Sequence, residues 1–354
     1  MAPFLRDRYH LSLGQTGVLI AGTLAGSVLS LIPLGILADR IGERAVLVLG
    51  VGACGVALLG ASQAHDFWTL LAFLLVAGLT GASVQSASGR AVMAWFPGSQ
   101  RGLALGIRQT AIPIGGFATA LSLPHIVRSG GLGWGFGAMA IACLVSAATA
   151  GIVLREGPTP GPAADELPRP LRDRRIWRMS AGSALVLAPQ MCVVGFMVVF
   201  LHDHHGLGEG TAAAVLAVTQ LLGIGARIGA GRWSDVVGTR LGPLRAIALG
   251  ITALIAVAGL LADAPLALLL PALVAGGVLA MSWNGLSFAA AAELAGHRRS
   301  GAAIGLQQTV LNGSGAVYPG LFGALVAATS WRVAFLAVAL LPLFGWRVLR
   351  GLAG

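Results

Sequence analysis

A chain of 354 residues that is 56% hydrophobic and only 10% charged is not a pair of soluble domains. Apolar runs close to the roughly twenty residues that cross a bilayer core as a helix recur along it. The formal charge of +10 comes from 23 basic residues, all arginine, and their placement mostly in the connections on one side of the spans argues against nucleic acid as the partner. Membrane strands are excluded too, because they alternate apolar and polar in segments of about ten residues, and these runs are apolar on every face.

The chain opens with MAPFLRDRYHLSLGQ, and the run behind it is too long, and too poor in a cleavage site, for a signal peptide. Eleven spans are predicted, near 16–37, 45–63, 67–90, 102–124, 134–154, 179–201, 211–233, 244–262, 266–290, 301–327 and 332–350. Between the fifth and sixth lies REGPTPGPAADELPRPLRDRR, whose proline and charge mark a linker. The organisation expected is an N-terminal helical bundle over 1–154, a cytoplasmic linker over 155–178 and a C-terminal bundle over 179–354. Glycine fills 52 positions, about twice its ordinary share of roughly 7%. A GC-rich genome accounts for part of that. Helices in lipid also associate through close backbone approach at small residues, and the spacing recurs at Gly22/Gly26, Gly102/Gly106, Gly225/Gly229 and Gly301/Gly305. Cys54, Cys143 and Cys192 stand alone in apolar runs, with no metal or disulfide spacing.

Arginine sets the orientation. One side of the membrane collects Arg40, Arg44, Arg90, Arg101, the linker arginines, Arg232, Arg240, Arg245, Arg298, Arg299, Arg347 and Arg350. The other holds Arg6, Arg8, Arg128 and Arg332. The positive-inside rule makes the first side cytoplasmic, so the linker and C-terminus are expected inside a bacterial inner membrane and the N-terminus outside.

An internal repeat then fixes the architecture. GILADRIGER at 35–44 matches GRWSDVVGTR at 231–240: Gly35, Asp39, Gly42 and Arg44 fall on Gly231, Asp235, Gly238 and Arg240. The same offset of 196 places Phe4, Leu5, Asp7 and Leu11 on Phe200, Leu201, Asp203 and Leu207. RGLALGIRQT at 101–110 matches SGAAIGLQQT at 300–309, three residues further on. Parallel repeats of this size are a transporter signature.

The motif G-x-L-A-D-R-x-G-x-R, its weaker second copy and the central linker resemble the major facilitator superfamily along essentially the whole chain. The resemblance implies an all-α polytopic fold of two pseudo-symmetric helical bundles, with eleven transmembrane helices seen of an expected twelve. The repeat makes residues 1–15 the tail of a first helix that is otherwise missing, and a start placed too far downstream is the expected reason. Two departures stand out: the family usually has a basic residue where Glu43 stands, and Thr239 breaks the second copy. Each loop is therefore expected to hold its closed state less firmly than usual.

Physical reasons for the motif can be given. Gly35 and Gly231 allow close packing, and Gly42 and Gly238 permit a tight turn. Asp39 and Asp235 can face the positive N-terminal end of a neighbouring helix, a contribution of roughly 0.3–1 kcal/mol each. Arg40, Arg44 and Arg240 can pair with carboxylates or carbonyls. The resemblance makes these contacts a gate that breaks when the inner side opens.

Residues alike in both repeats read as scaffold, so polar residues peculiar to one are the candidates for substrate. Arg108 has Gln307 as its repeat partner, and Arg227 has Leu31. An intramembrane arginine costs at least ~2.5–3.5 kcal/mol and normally faces a bundle interior or wet cavity, and no acidic residue lies deep in any span to neutralise these two. An anionic solute would pair with them through charge-assisted hydrogen bonds. The competing reading has both arginines snorkel or bond helix-end carbonyls. Gln109, Gln190, Asn284, Gln307, Gln308, Asn312 and Tyr318 are the neutral candidates, each equally able to serve as an interhelical hydrogen bond. Trp283 would form a cavity wall, and Pro113 and Pro319 would be bending points. His202, Asp203, His204 and His205 form an external cluster read as a solvated loop, with no metal expected.

No catalytic triad, phosphate loop or carboxylate pair is visible, so an enzyme is not expected. The expectation is a monomeric secondary transporter that moves a small organic or inorganic anion by alternating access, without a cofactor and driven by a coupling proton or other ion. Its partners are the solute and the lipid bilayer. The rival expectations are an exporter of amphiphilic compounds and a transport-inactive membrane scaffold or sensor.

Overall fold

In the computed structural model, which describes residues 2–155 and 170–352, helix dominates and no strand occurs among the described residues. The helices are α1 (Ala2–Tyr9), α2 (Leu13–Ile41), α3 (Glu43–Ser62), α4 (Phe67–Gly81), α5 (Ser83–Trp95), α6 (Arg101–Gly130) and α7 (Leu132–Val153), followed by α8 (Arg174–Pro189), α9 (Gly195–Val199), α10 (Glu209–Val237), α11 (Leu241–Leu260), α12 (Leu266–Ala280), α13 (Asn284–Ala295), α14 (Ser300–Ala328) and α15 (Trp331–Arg350). Among the described residues, 11 helical runs are long and apolar enough to cross a membrane, one for each predicted span. Three of them are composite: α4 with α5, α8 with α9, and α12 with α13. Of the expected linker, residues 156–169 lie outside the described residues.

Side chains at the helix starts explain several boundaries. Ser12 forms a reciprocal cap on α2: Gln15 N donates to Ser12 Oγ (3.1 Å) while Ser12 N donates to Gln15 Oε1 (2.9 Å), so two orphan donors are satisfied at once. Asp66 caps α4, accepting from Trp68 N and Thr69 N at 3.0 Å each. Hydrogen bonds from Thr69, its hydroxyl first, hold the Asp66 carboxyl below the usual carboxylate range. Ser330 caps α15 in the same way.

The motif segments differ from the loops expected of them. Asp39 and Arg40 continue α2, and a single residue, Gly42, separates α2 from α3. Its φ of +93° is open to glycine and strained for other residues. Asp235 likewise lies in the last turn of α10, ahead of Gly238 at φ +71°. Both motif aspartates therefore sit on rigid helix ends.

The described chain divides into two compact units. The first comprises Met1–Trp95, Ile114–Pro170 and Ala295–Thr309; the second comprises Phe96–Pro113, Leu171–Leu294 and Val310–Gly354. The start of α14 thus packs with the first unit and the start of α6 with the second, and α6 changes unit at Pro113.

Glycine contacts hold each unit together. In the first, a Cβ on Gly26 would lie 2.9 Å from Leu79 N, and one on Gly78 would strike the Thr23 carbonyl, so α2 and α4 touch backbone to backbone. A Cβ on Gly55 would lie 3.1 Å from Ala140 O, which joins α3 to α7. In the second, Gly182 and Gly345 bring α8 against α15, where a Cβ on Gly345 would lie 2.8 Å from Gly182 O. Dispersion gained at such approaches takes the place of the hydrophobic effect, which is absent between helices in lipid. Of the four predicted glycine pairs, Gly225/Gly229 is an exception: a Cβ on either would meet nothing within 4 Å. Spacing alone does not say which face of a helix meets a neighbour. An aromatic cluster of Phe200, Phe322, Trp331 and Phe335 closes one end of the second unit, with Phe200 and Phe335 edge to face at 4.8 Å.

Gly78→Ala is expected to cost about 1–3 kcal/mol, the usual penalty for overpacking, and to lower the thermal midpoint of the purified protein. Gly115→Ala, where a Cβ meets nothing within 4 Å, is expected not to lower it.

Candidate functional site

Each motif aspartate caps the start of a distant helix. In the first unit, Gly35 on α2 and Gly301 on α14 meet so closely that a Cβ on Gly301 would lie 2.6 Å from Gly35 O. One turn further on, Asp39 receives two of the first-turn donors of α14. Gly301 N donates to Oδ1 at 3.0 Å and Ala302 N donates to Oδ2 at 2.8 Å. A helix start leaves four N–H groups without intrahelical partners and carries a partial positive charge, and one carboxylate answers both conditions. In the second unit the arrangement repeats on α10 and α6: Gly102 N donates to Asp235 Oδ1 at 3.0 Å and Leu103 N to Oδ2 at 2.8 Å. A Cβ on Gly231 would lie 2.7 Å from the Gly102 carbonyl carbon.

An ion-pair triad backs each cap, buried around Arg90 and Glu43 in the first unit and reaching the exposed Glu293 in the second, and its charges are distributed differently in the two units. In the first, Arg90 comes from α5. Its Nε donates to Asp39 Oδ1 at 3.1 Å, and its guanidinium also pairs with Glu43. Arg90 and Glu43 are only 4% and 1% exposed. In the second, the cation is Arg240, just past the α10 turn. Its Nη1 pairs with Asp235 Oδ1 at 2.5 Å, and its Nε pairs with Glu293 Oε1 of α13 at 3.1 Å. It also donates to Ser234 Oγ and Gly98 O. Glu43 therefore does not leave the first motif short of a cation. The acidic residue stands beside an arginine supplied by another helix.

Arg90 is the participant that sequence reasoning missed, having been read as one more loop arginine. The signal was its position in SVQSASGRAVMAW, where Ser83, Ser86, Ala87 and Arg90 recur at helical spacing and are all buried. The remaining motif arginines act elsewhere. Arg44 Nη2 donates to Gly151 O at 2.6 Å, at the end of α7, and Arg40 is exposed without such a partner among the described residues.

The substrate candidates are distributed between the units. Arg108, Gln109, Gln190, Arg227, Asn284 and Asn312 belong to the second, and Gln307 and Gln308 to the first. Within the second unit, Arg227 is 5% exposed and its Nε donates to Met281 O at 2.8 Å, between α12 and α13. Its Nη1 is buried without an acceptor. No carboxylate pairs with it among the described residues. Asn284 Oδ1 and Gln190 Oε1 are likewise buried without donors. Gly106 brings α6 to this place: a Cβ there would lie 2.6 Å from Arg227 O, and one on Gly285 would lie 2.9 Å from Gly106 N. Arg108 Nη1 donates to the neighbouring Gln109 Oε1 at 3.0 Å.

Two other candidates are engaged structurally. Tyr318 donates its hydroxyl to Ala184 O at 3.0 Å. Trp283 is completely buried and donates Nε1 to Ala280 O, so it is packed inside the unit and is not the cavity wall expected. The histidines are engaged too: His202 donates Nδ1 to Leu207 O, His205 donates Nε2 to Ala262 O, and His204 pairs with Asp263, which also holds Arg332. Among the described residues no group of three or more potential ligands could hold a metal.

Comparison with known proteins decides the family. The profile of the Major Facilitator Superfamily matches residues 1–319. The chain belongs to the major facilitator superfamily. It is 34% identical over 347 residues to the uncharacterized MFS-type transporter MT3072 of Mycobacterium tuberculosis, covering 97% of this chain and 78% of that protein. It is 29% identical over 273 residues to the probable nitrate/nitrite transporter NarK2 of the same organism, covering 74% and 67%. Its backbone is similar to that of the E. coli fucose:proton symporter, with a TM-score of 0.80 at 16% identity over 100% of this chain and 95% of the symporter's. The protein is thus a multi-pass membrane transporter of this superfamily, not an enzyme.

Removing one member of a buried ion pair strands the other, a loss of about 3–5 kcal/mol. Arg90→Gln is expected to show that loss in the thermal midpoint, and Arg90→Gln with Glu43→Gln to recover part of it.

Proposed function

We propose that this major facilitator transporter carries a small organic or inorganic anion by alternating access, with Arg227 as its principal anchor. The observation behind this reading is the Nη1 of Arg227, a donor on a cation buried within a span. A buried unpaired charge is among the costliest groups a protein can carry. It is tolerated where a solute supplies the missing anion during the working cycle. The similarity to a probable nitrate/nitrite transporter supports the same class. Arg108 and Gln109, two and three residues past Gly106, complete the set on α6.

The Asp39 and Asp235 caps are the gate in this reading. With both made, the arginine-rich ends of α14 and α6 are held; the cycle requires them to be released. The arginine-rich end faces the cytoplasm of a bacterial inner membrane, and the linker and C-terminus lie on that side. A proton or other ion gradient drives transport, and the unit of function is the monomer.

Reconstitution into proteoliposomes tests the proposal, using labelled nitrate, propionate, lactate and succinate beside neutral and cationic solutes of similar size. At least one anion is expected to accumulate. Arg227→Gln, with folding verified by its thermal midpoint, is expected to lower that uptake about 10- to 100-fold, the worth of one charge-assisted hydrogen bond. Transport confined to neutral or cationic solutes, or unchanged anion uptake by the variant, would contradict it.

A further inference from the structure

Arg227 is not the sole group around this place with an unmet hydrogen bond, and the others have the opposite sense. Asn284 Oδ1 and Gln190 Oε1 are acceptors, both buried and both without a donor. Their placement in one layer follows from a contact inside the second unit. Ser183 of α8 and Ser287 of α13 meet Oγ to Oγ at 2.6 Å. These helices belong to the sixth and ninth spans, which cross in opposite directions. Gln190 lies two turns beyond Ser183, about 10 Å along α8, and Asn284 lies about 4.5 Å beyond Ser287 in the same direction. Arg227 is fixed to Met281, three residues before Asn284 in the break between α12 and α13. Gln190 and Asn284 therefore fall within a slab about 6 Å deep, and the carbonyl that holds Arg227 is three residues from Asn284.

Gln190 owes its place to a local irregularity. The helix widens into π-type turns over Gln190–Val194, immediately after Pro189. Such widenings redirect side chains and are common at functional sites.

A ligand completing this constellation must do two things at once. It must accept from Arg227 Nη1, and it must donate to at least one of the two amide oxygens. A bare oxyanion such as nitrate does only the first, and would leave both acceptors stranded. A plain alkyl carboxylate fails in the same way. We propose that the solute is a small carboxylate bearing its own hydrogen-bond donor, a hydroxy- or amino-carboxylate, with Arg227 binding the carboxylate and Asn284 and Gln190 accepting from the hydroxyl or amino group. This rests on the anion reading above and narrows it. A site built to bond a substrate hydroxyl discriminates strongly against the analogue lacking it, because its own buried groups are then left unpaired.

The test is equilibrium binding to the purified full chain, using two matched pairs, lactate against propionate and malate against succinate, with nitrate alongside. In at least one pair the hydroxylated member is expected to bind 10-fold or more tightly than its partner and than nitrate. Asn284→Leu is expected to bring that ratio towards one, and Gln190→Leu serves should the first variant not fold; Arg227→Gln is expected to weaken binding of both members about 10- to 100-fold. Arg227-dependent binding in which nitrate, propionate or succinate matches the hydroxylated acids would overturn the proposal and leave the anion reading standing. It would mean that the amides turn their NH2 groups inward. No binding of any of the five anions, or binding indifferent to Arg227→Gln, would overturn both.

Discussion

A helix start cannot satisfy its own first N–H groups, and this constraint organises the molecule. Two long helices, α6 and α14, begin where part of this need is met from outside the helix. The missing acceptor arrives from another helix, Asp235 for α6 and Asp39 for α14, with nearly identical geometry. Glycine makes the arrangement possible. Where Gly35 meets Gly301, and Gly231 meets Gly102, the backbones come close enough for an aspartate's short side chain to reach two donors. The same approach continues one turn along α6 to Gly106, which rests on the backbone of Arg227. The cap and the candidate anchor are thus steps of one packed seam.

The triads behind the caps show which features each repeat retains. The carboxylate facing the helix start occupies the same position in both, because its role depends on geometry. The cation does not. It comes from α5 in one unit and from the turn after α10 in the other, and the second carboxylate changes place with it. A buried pair tolerates such an exchange as long as every charge keeps a partner, since the severe cost falls on a charge left alone. Arg227 departs from that rule, which sets it apart from the other buried arginines.

Much of this was legible in the sequence. Hydropathy alone located the spans, because a membrane helix must satisfy its backbone internally and is written as an unbroken apolar run. The offset between Asp39 and Asp235 exposed the repeat, and their charge next to a glycine turn foretold a helix-end role. Other features depend on which face of a helix meets which neighbour. Gly225 and Gly229 have the right spacing and touch nothing, whereas Gly102 and Gly106 form a seam. Arg90 resembles any loop arginine until α5 is seen to run on from α4 and bury it. Trp283 looked suited to a cavity wall and proves to be core. The π-type turns at Gln190 change the direction of a side chain without leaving a mark in composition.

The central claim is that the Asp39 cap holds the start of α14 and that losing the cap sets it free. Spin labels at Arg40→Cys and Arg298→Cys, in a background with Cys54, Cys143 and Cys192 replaced by alanine, report the separation of the two segments directly. Electron paramagnetic resonance is expected to give one narrow distance distribution with Asp39 in place. With Asp39→Asn added, which removes the charge and turns one acceptor into a donor, a second and longer distance should appear. Superimposable distributions with and without Asp39→Asn would contradict the account.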